Sequence, residues 1–191
     1  MEGNDAEAVA RARAGDREAF RELVERHSHR VFQLAYRLTG NEEDAEDVVQ
    51  ETFLRAYRGL SRFEERSQFL TWVHRIASNC AMDLARRRLL RADRVEPLDE
   101  VRTQARDEAG DSIPGPERLA TASETGRRVA AALTRLSPME RTAFVLRHFE
   151  GRPIAEIAQT LRVRAGAAKN CVFRAVSKLR RELAPLSTEL P

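Results

Sequence analysis

Between positions 68 and 86 the chain carries Gln68, Thr71, Trp72, Arg75, Asn79 and Arg86, which fall along one side of a helix turning about 100° per residue. An indole, two amides, a hydroxyl and two guanidinium groups on one flank suit stacking on unpaired bases and bonding to their edges. Part of the Trp72 ring is expected in the core in any case, because it is so large. Further along, Asn170, Arg174, Ser177 and Arg181 share one face of another helical pattern. Arg and Asn each make two hydrogen bonds to a purine edge in the major groove, worth roughly 1–3 kcal/mol of discrimination per good pair. Standing alone, such a face would read as an ordinary solvated one. A third group is apolar at its centre: Leu54 points outward among Glu43, Asp47, Gln50, Glu51 and Arg58. Protein-binding patches tend to be built this way, although a single exposed leucine is also common.

Reaction chemistry is poorly provided for. The chain has no glycine-rich phosphate loop, His-Glu zinc helix, nucleophile elbow or paired-cysteine motif. No catalytic residue, cofactor or metal site is therefore expected. His27 and His29, two apart on a helix, point to different faces and cannot share a metal, so solvated or hydrogen-bonded rings are expected, and His74 and His148 have no visible ligand partners. Cys80 and Cys171 fall in helical patterns in different segments and read as small core-facing thiols rather than a disulfide. No apolar run is long enough to span a bilayer, and Met1-Glu2-Gly3-Asn4-Asp5 lacks the regions of an export signal, so a cytoplasmic chain without membrane insertion is expected.

The 191 residues carry a formal net charge of only +3, but the signs are segregated. Asn41 to Glu51 is acidic; Arg86, Arg87, Arg88, Arg91 and Arg94 form a basic tract; Lys169, Arg174, Lys178, Arg180 and Arg181 follow near the end. Almost every cation is arginine. A planar fork of donors for phosphates and bases accounts for that, and so, with equal weight, does a GC-rich genome.

Helical periodicity accounts for nearly all of the chain outside one interval, which predicts an all-α fold of two small helical domains. Asp16 caps a helix running to Leu38, with Gly40 at its end, and Asn41 caps the next, which ends near Gly59. A loop over 60–67 leads to a third helix over 69–91, with Phe69, Val73, Ile76, Ala77, Cys80 and Leu84 inward. From Asp93 to Pro116 periodicity fails and Asp, Glu, Pro and Gly collect, so that stretch reads as an irregular acidic linker between domains at 1–92 and 117–191. Beyond it come a helix over 117–136, a capping box at Ser137-Pro138-Met139-Glu140, a short helix from Pro153, and a last helix from Gly166 to about Leu183. Short helix, tight turn and longer helix make a helix-turn-helix pattern.

Taken together these segments resemble the extracytoplasmic-function RNA polymerase sigma factors, and the likeness covers most of the chain. The helix Asp44-Ala45-Glu46-Asp47-Val48-Val49-Gln50-Glu51-Thr52-Phe53-Leu54-Arg55-Ala56 is similar to the family segment that docks on the clamp helices of the polymerase β′ subunit. Phe69-Leu70-Thr71-Trp72-Val73-His74-Arg75-Ile76-Ala77-Ser78-Asn79, with Asp83 and Arg86, resembles the helix that recognises the −10 element and traps a flipped base. The stretch from Leu136 to Arg181 looks like the module that reads the −35 element as duplex. The resemblance implies a region 2-like bundle, a linker and a region 4-like helix-turn-helix domain. Core contacts would be Asp47, Gln50, Glu51, Leu54 and Arg58. The −10 contacts would be Phe63, Gln68, Thr71, Trp72, Arg75, Asn79 and Arg86, with the loop over 63–68 supplying the base pocket. The −35 contacts would be Arg164, Lys169, Asn170, Arg174, Ser177 and Arg181. Partners would be core RNA polymerase, through the β′ clamp helices and the β flap, and promoter DNA, with an anti-sigma protein as a candidate regulator.

Three residues depart from the family pattern: Arg162 stands where many members have Gly, Ala167 where they have Thr, and Cys171 where they have Arg. The donors facing the groove differ accordingly, and so would the upstream sequence preference. The linker's acidity would disfavour DNA phosphates and could lead it toward the RNA exit path. The competing reading is a free-standing helix-turn-helix regulator, which would bind DNA specifically without polymerase.

Overall fold

The computed structural model describes residues 3–63, 67–92 and 124–187. The linker at 93–116, and the first turns of the helix expected from Glu117, lie outside the described residues. Eight α-helices and one 3₁₀ turn account for nearly all of what is described, and no strand occurs among those residues. They are α1 (Gly3–Arg13), α2 (Arg17–Thr39), α3 (Glu42–Gly59), the turn Leu60–Arg62, α4 (Phe69–Ala92), α5 (Glu124–Thr134), α6 (Pro138–His148), α7 (Ile154–Leu161) and α8 (Ala165–Ser187).

Helix ends follow local chemistry. The Asp16 carboxylate accepts from the amides of Glu18 and Ala19, satisfying two donors of the first turn of α2. Gly40 ends that helix at φ 74°, a conformation that glycine adopts without Cβ conflict. Asn41 accepts from the Asp44 amide at the start of α3, and Ser137 and Glu140 form the expected capping box on α6. Gly151, at φ 64°, turns the chain after α6. The last helix runs to Ser187, about a turn beyond the expected end.

The N-terminal module packs α2, α3 and α4 around Leu23, Val31, Leu34, Val48, Phe53, Phe69 and Val73. Helix α1, which periodicity does not predict, adds Ala8, Val9 and Ala12 to that core. It is fastened by Asp5, which accepts from Arg26 at 2.5 Å and pairs with His27 at 2.8 Å. His27 is consequently a buried ring, and His29, paired with Gln33, is an exposed one. Both cysteines are free thiols.

In the C-terminal module, α6, α7 and α8 share Ala143, Leu146, Ile157, Leu161 and Ala168, while α5 packs Ala132 and Leu133 on Ala175 and Leu179 of α8. Lys178 of α8 donates to Glu140 of α6 at 2.7 Å. The modules also pack on each other, which the two-domain reading does not anticipate. Val145 of α6 belongs to the N-terminal core, and Met82 of α4 to the C-terminal one. Arg141, 7% exposed, donates to the carbonyls of Leu133, Thr134 and Thr39 and so ties α5 and the end of α2 to α6. Burial pulls its pKa down to about 10, leaving it charged at neutral pH.

Candidate nucleic-acid interface

On α4, Trp72 packs at a tilt against two other rings. Its centroid lies 4.8 Å from that of Phe63 and 5.9 Å from that of Phe69. Phe63 itself is 5% exposed and packs edge-on to Phe69. Expected as a base contact, Phe63 packs here as a core ring against Trp72. The half-buried Trp72 borders an open cleft of about 320 Å³ lined by Arg55, Gly59, Arg62, Ile76 and Asn79. The cleft places an aromatic edge, an amide and two guanidinium groups around one space, a donor-rich lining suited to a planar base. Arg55 and Arg62 were not among the expected contacts. They come from α3 and the turn after it, so only the tertiary fold brings them to Asn79.

The rest of the α4 set is less free. Arg75 is exposed but donates to Gln159 at 3.0 Å, and Arg86 donates to the carbonyls of Thr160 and Leu161 at 3.3 and 3.0 Å. Thr71 is half-buried, its carbonyl accepting from Arg152 at 2.9 Å, and Gln68 is exposed. His74 pairs with Glu150 at 2.6 Å. Burial pushes the Glu150 carboxyl up, but the His74 hydrogen bond and charge, with Arg152 and Arg37, outweigh that and hold it below its usual value. In the basic tract, Arg88 is bound to the buried Asp44, whose carboxyl is raised by burial against the opposing charge of Arg88.

The outer face of α3 carries Leu54 and Tyr57, each 46% exposed. Asp47, Gln50 and Arg58 are exposed around them, and the half-buried Glu51 is tied to Arg55 at 2.6 Å. On α8, Asn170, Arg174, Ser177 and Arg181 stand exposed along one face, with Lys169 beside them and Arg164 exposed in the turn before it. Phe173, 74% exposed, lies on the same face next to Asn170 and Ser177. The wheel that selected those two would have found it had apolar residues been admitted, since a ring can pack on a thymine methyl group. Arg162 closes α7 in the left-handed conformation at φ 57°, a conformation that glycine adopts without Cβ conflict.

The family model for Sigma-70 region 2 matches residues 23–90, which take in α3 and most of α2 and α4. The model for Sigma-70, region 4 matches residues 126–179, from α5 into α8. The ECF RNA polymerase sigma factor SigM of Mycobacterium tuberculosis is 35% identical over 187 residues, spanning 98% of this chain and 88% of that protein. The chain belongs to the extracytoplasmic-function sigma factors. It is an alternative sigma factor, directing promoter-specific transcription.

Other sigma factors extend the likeness. The RNA polymerase sigma-H factor of Pseudomonas aeruginosa is 33% identical over 97% of this chain and 96% of its own length. The ECF sigma factor SigE of Mycolicibacterium smegmatis is 40% identical over 88% of this chain, which spans 63% of the length of SigE. Among solved structures, CnrH in complex with the cytosolic domain of CnrY superposes with a TM-score of 0.58 at 28% identity, covering 95% of this sigma factor and 98% of that chain. No described helix of the sigma factor is long and apolar enough to cross a membrane.

Proposed function

We propose that this sigma factor grips core RNA polymerase through the outer face of α3, captures the −10 element as melted strand through α4, and reads the −35 element as duplex through α8. The observation that carries the proposal is the cleft beside Trp72. Extruding a base costs a few kcal/mol, and the cleft offers a ring, the Asn79 amide and the Arg55 and Arg62 guanidinium groups to offset it. Leu54, Asp47, Gln50, Glu51 and Arg58 supply the core-binding face, an apolar centre in a polar rim. Asn170, Arg174, Ser177 and Arg181 face the major groove with Phe173 among them, while Lys169 and Arg164 lie where phosphates would run.

The chain contributes no chemistry of its own and works in the cytoplasm, where polymerase works. A protein partner that covers these faces is part of the proposal, since CnrH was solved bound to the cytosolic domain of CnrY. The test is transcription in vitro from a genomic fragment library, with purified core polymerase and the chain added or withheld. Discrete start sites that depend on both components are expected. Specific DNA binding by the chain alone, with no such start sites, would instead establish a free-standing regulator.

A further inference from the structure

One glycine at the cleft beside Trp72 has no backbone reason to be a glycine. Gly59 ends α3 at φ −95° and ψ −2°, a turn conformation open to most L-residues. At such a position alanine stabilises a chain by about 0.4–1 kcal/mol relative to glycine, so the fold would gain from a side chain. There is also room for one. Beyond the helix itself, a Cβ built at Gly59 meets only the Trp72 ring, 3.6 Å from Cζ2 and 3.9 Å from Cη2, which is ordinary van der Waals contact. The missing side chain therefore leaves the benzene end of the indole bare where it borders the cleft.

The two guanidinium groups of the lining differ in how far they are already engaged. Arg55 donates from Nε to Glu51 at 2.6 Å and from Nη1 to Asp83 at 3.3 Å. Arg62, carried by the 3₁₀ turn that follows Gly59, stands exposed. Stacking on an aromatic side chain is worth about 1–3 kcal/mol per base, and its apolar part grows with the area covered. Two fused rings can cover both the indole surface beside Asn79 and the part that Gly59 leaves bare. Among base edges, the N7 acceptor belongs to both purines and to neither pyrimidine. A guanidinium group at the rim thus has one atom by which to tell the two classes apart.

We propose that the base captured in this cleft is a purine, that Gly59 sets this by leaving room for the second ring against Trp72, and that Arg62 donates to N7. The proposal rests on the assignment of the cleft to the extruded base and adds the identity of that base. A single-ring base leaves the indole surface beside Gly59 uncovered and offers Arg62 no N7. A larger residue at position 59 would cover that surface itself and shorten the cleft to one ring.

The test uses the full chain with core polymerase and a promoter fragment from the start-site library, its non-template strand left unpaired over the −10 element so that capture is read without the cost of melting. The position that fills the cleft is the one where an abasic site and Trp72→Ala are non-additive in affinity. There guanine and adenine should bind roughly three- to ten-fold more tightly than cytosine and thymine. The 7-deazapurines, which keep both rings and lack N7, should lose roughly three- to ten-fold against the parent purines, and Arg62→Ala should erase that difference. Gly59→Leu should bring the purines down to the level of the pyrimidines. Gly59→Ala, which the backbone accepts, should narrow the gap with no loss of Tm, and it decides the matter if the leucine variant loses its helical signal. A pyrimidine preference at that position, or a purine preference untouched by the Gly59 variants, would overturn the proposal. So would an equal loss on all four bases in Gly59→Ala, or 7-deazapurines bound as tightly as purines. If no position is coupled to Trp72, the cleft is not the capture site, and the reading of α4 fails along with the choice of base.

Discussion

Replacing Gly40 with alanine puts a methyl group where the two modules meet. Gly40 has φ 74°, and a Cβ built there falls 2.5 Å from Arg141 Nη1 and 3.0 Å from the Thr134 methyl carbon. Two costs follow. Left-handed backbone costs an alanine about 1 kcal/mol relative to glycine. The guanidinium must also retreat, and Nη1 is the group that donates to the Thr39 carbonyl across the boundary. A buried hydrogen bond from a charged donor is worth about 1.5–3 kcal/mol. The expected destabilisation is about 3 kcal/mol, or roughly 6–12 °C in Tm for a chain of this size. Gly151→Ala is the control, because Gly151 shares the positive φ but has nothing within 4 Å of a built Cβ. It should cost only the backbone part. Urea unfolding followed by circular dichroism measures both, and in an Arg141→Met background the cost of Gly40→Ala should fall toward that of Gly151→Ala, the remaining difference being the contact with the Thr134 methyl group. Equal costs in the parent would refute the reasoning, because Arg141 would then not occupy the boundary in solution.

Leu54→Asp should abolish binding to core polymerase in a pull-down while the helical spectrum stays unchanged, since Leu54 lies outside the core. Trp72→Ala should lower open-complex formation, read by permanganate footprinting, more than it lowers initial promoter binding; loss of its contacts with Phe63 and Phe69 will also reduce Tm. Arg174→Ala should flatten the base preference at one upstream position by roughly 1–3 kcal/mol in a binding-site selection, and a uniform loss at all sequences would reassign it to phosphate contact. Burial lowers the His27 pKa, with Asp5 opposing and Arg26 and Arg30 adding to the shift, so the unfolded chain takes up its proton first. Stability should therefore be full above about pH 6.5 and fall on acidification below it; His27→Gln should flatten that slope in urea titrations, and parallel slopes would assign it to another group.

What could be read from sequence was what neighbouring residues decide among themselves. Asp16, Asn41 and Ser137 bond to amides two or three residues on, so their types announce the helix starts, and Gly40 and Gly151 mark ends for the same local reason. The outward face of α8 was legible because a polar stripe on an amphipathic helix needs no partner to define it. Helix α1 was not, because its buried residues are Ala8, Val9 and Ala12, too small to stand out until α2 lies against them. Phe63 looked free to stack because sequence gives a ring but not its direction. Arg55 and Arg62 escaped notice for the complementary reason, since they reach the Trp72 cleft from a different helix and turn. The α7 partners of Arg75 and Arg86 lie more than seventy residues away, at a distance where composition and periodicity carry no information.

That contrast between α4 and α8 bears on the order of events. A duplex-reading face can stand preformed, because the major groove is always available to it. A face that holds an extruded base is useful only once a strand has opened, and exposed guanidinium groups would meanwhile bind any passing phosphate.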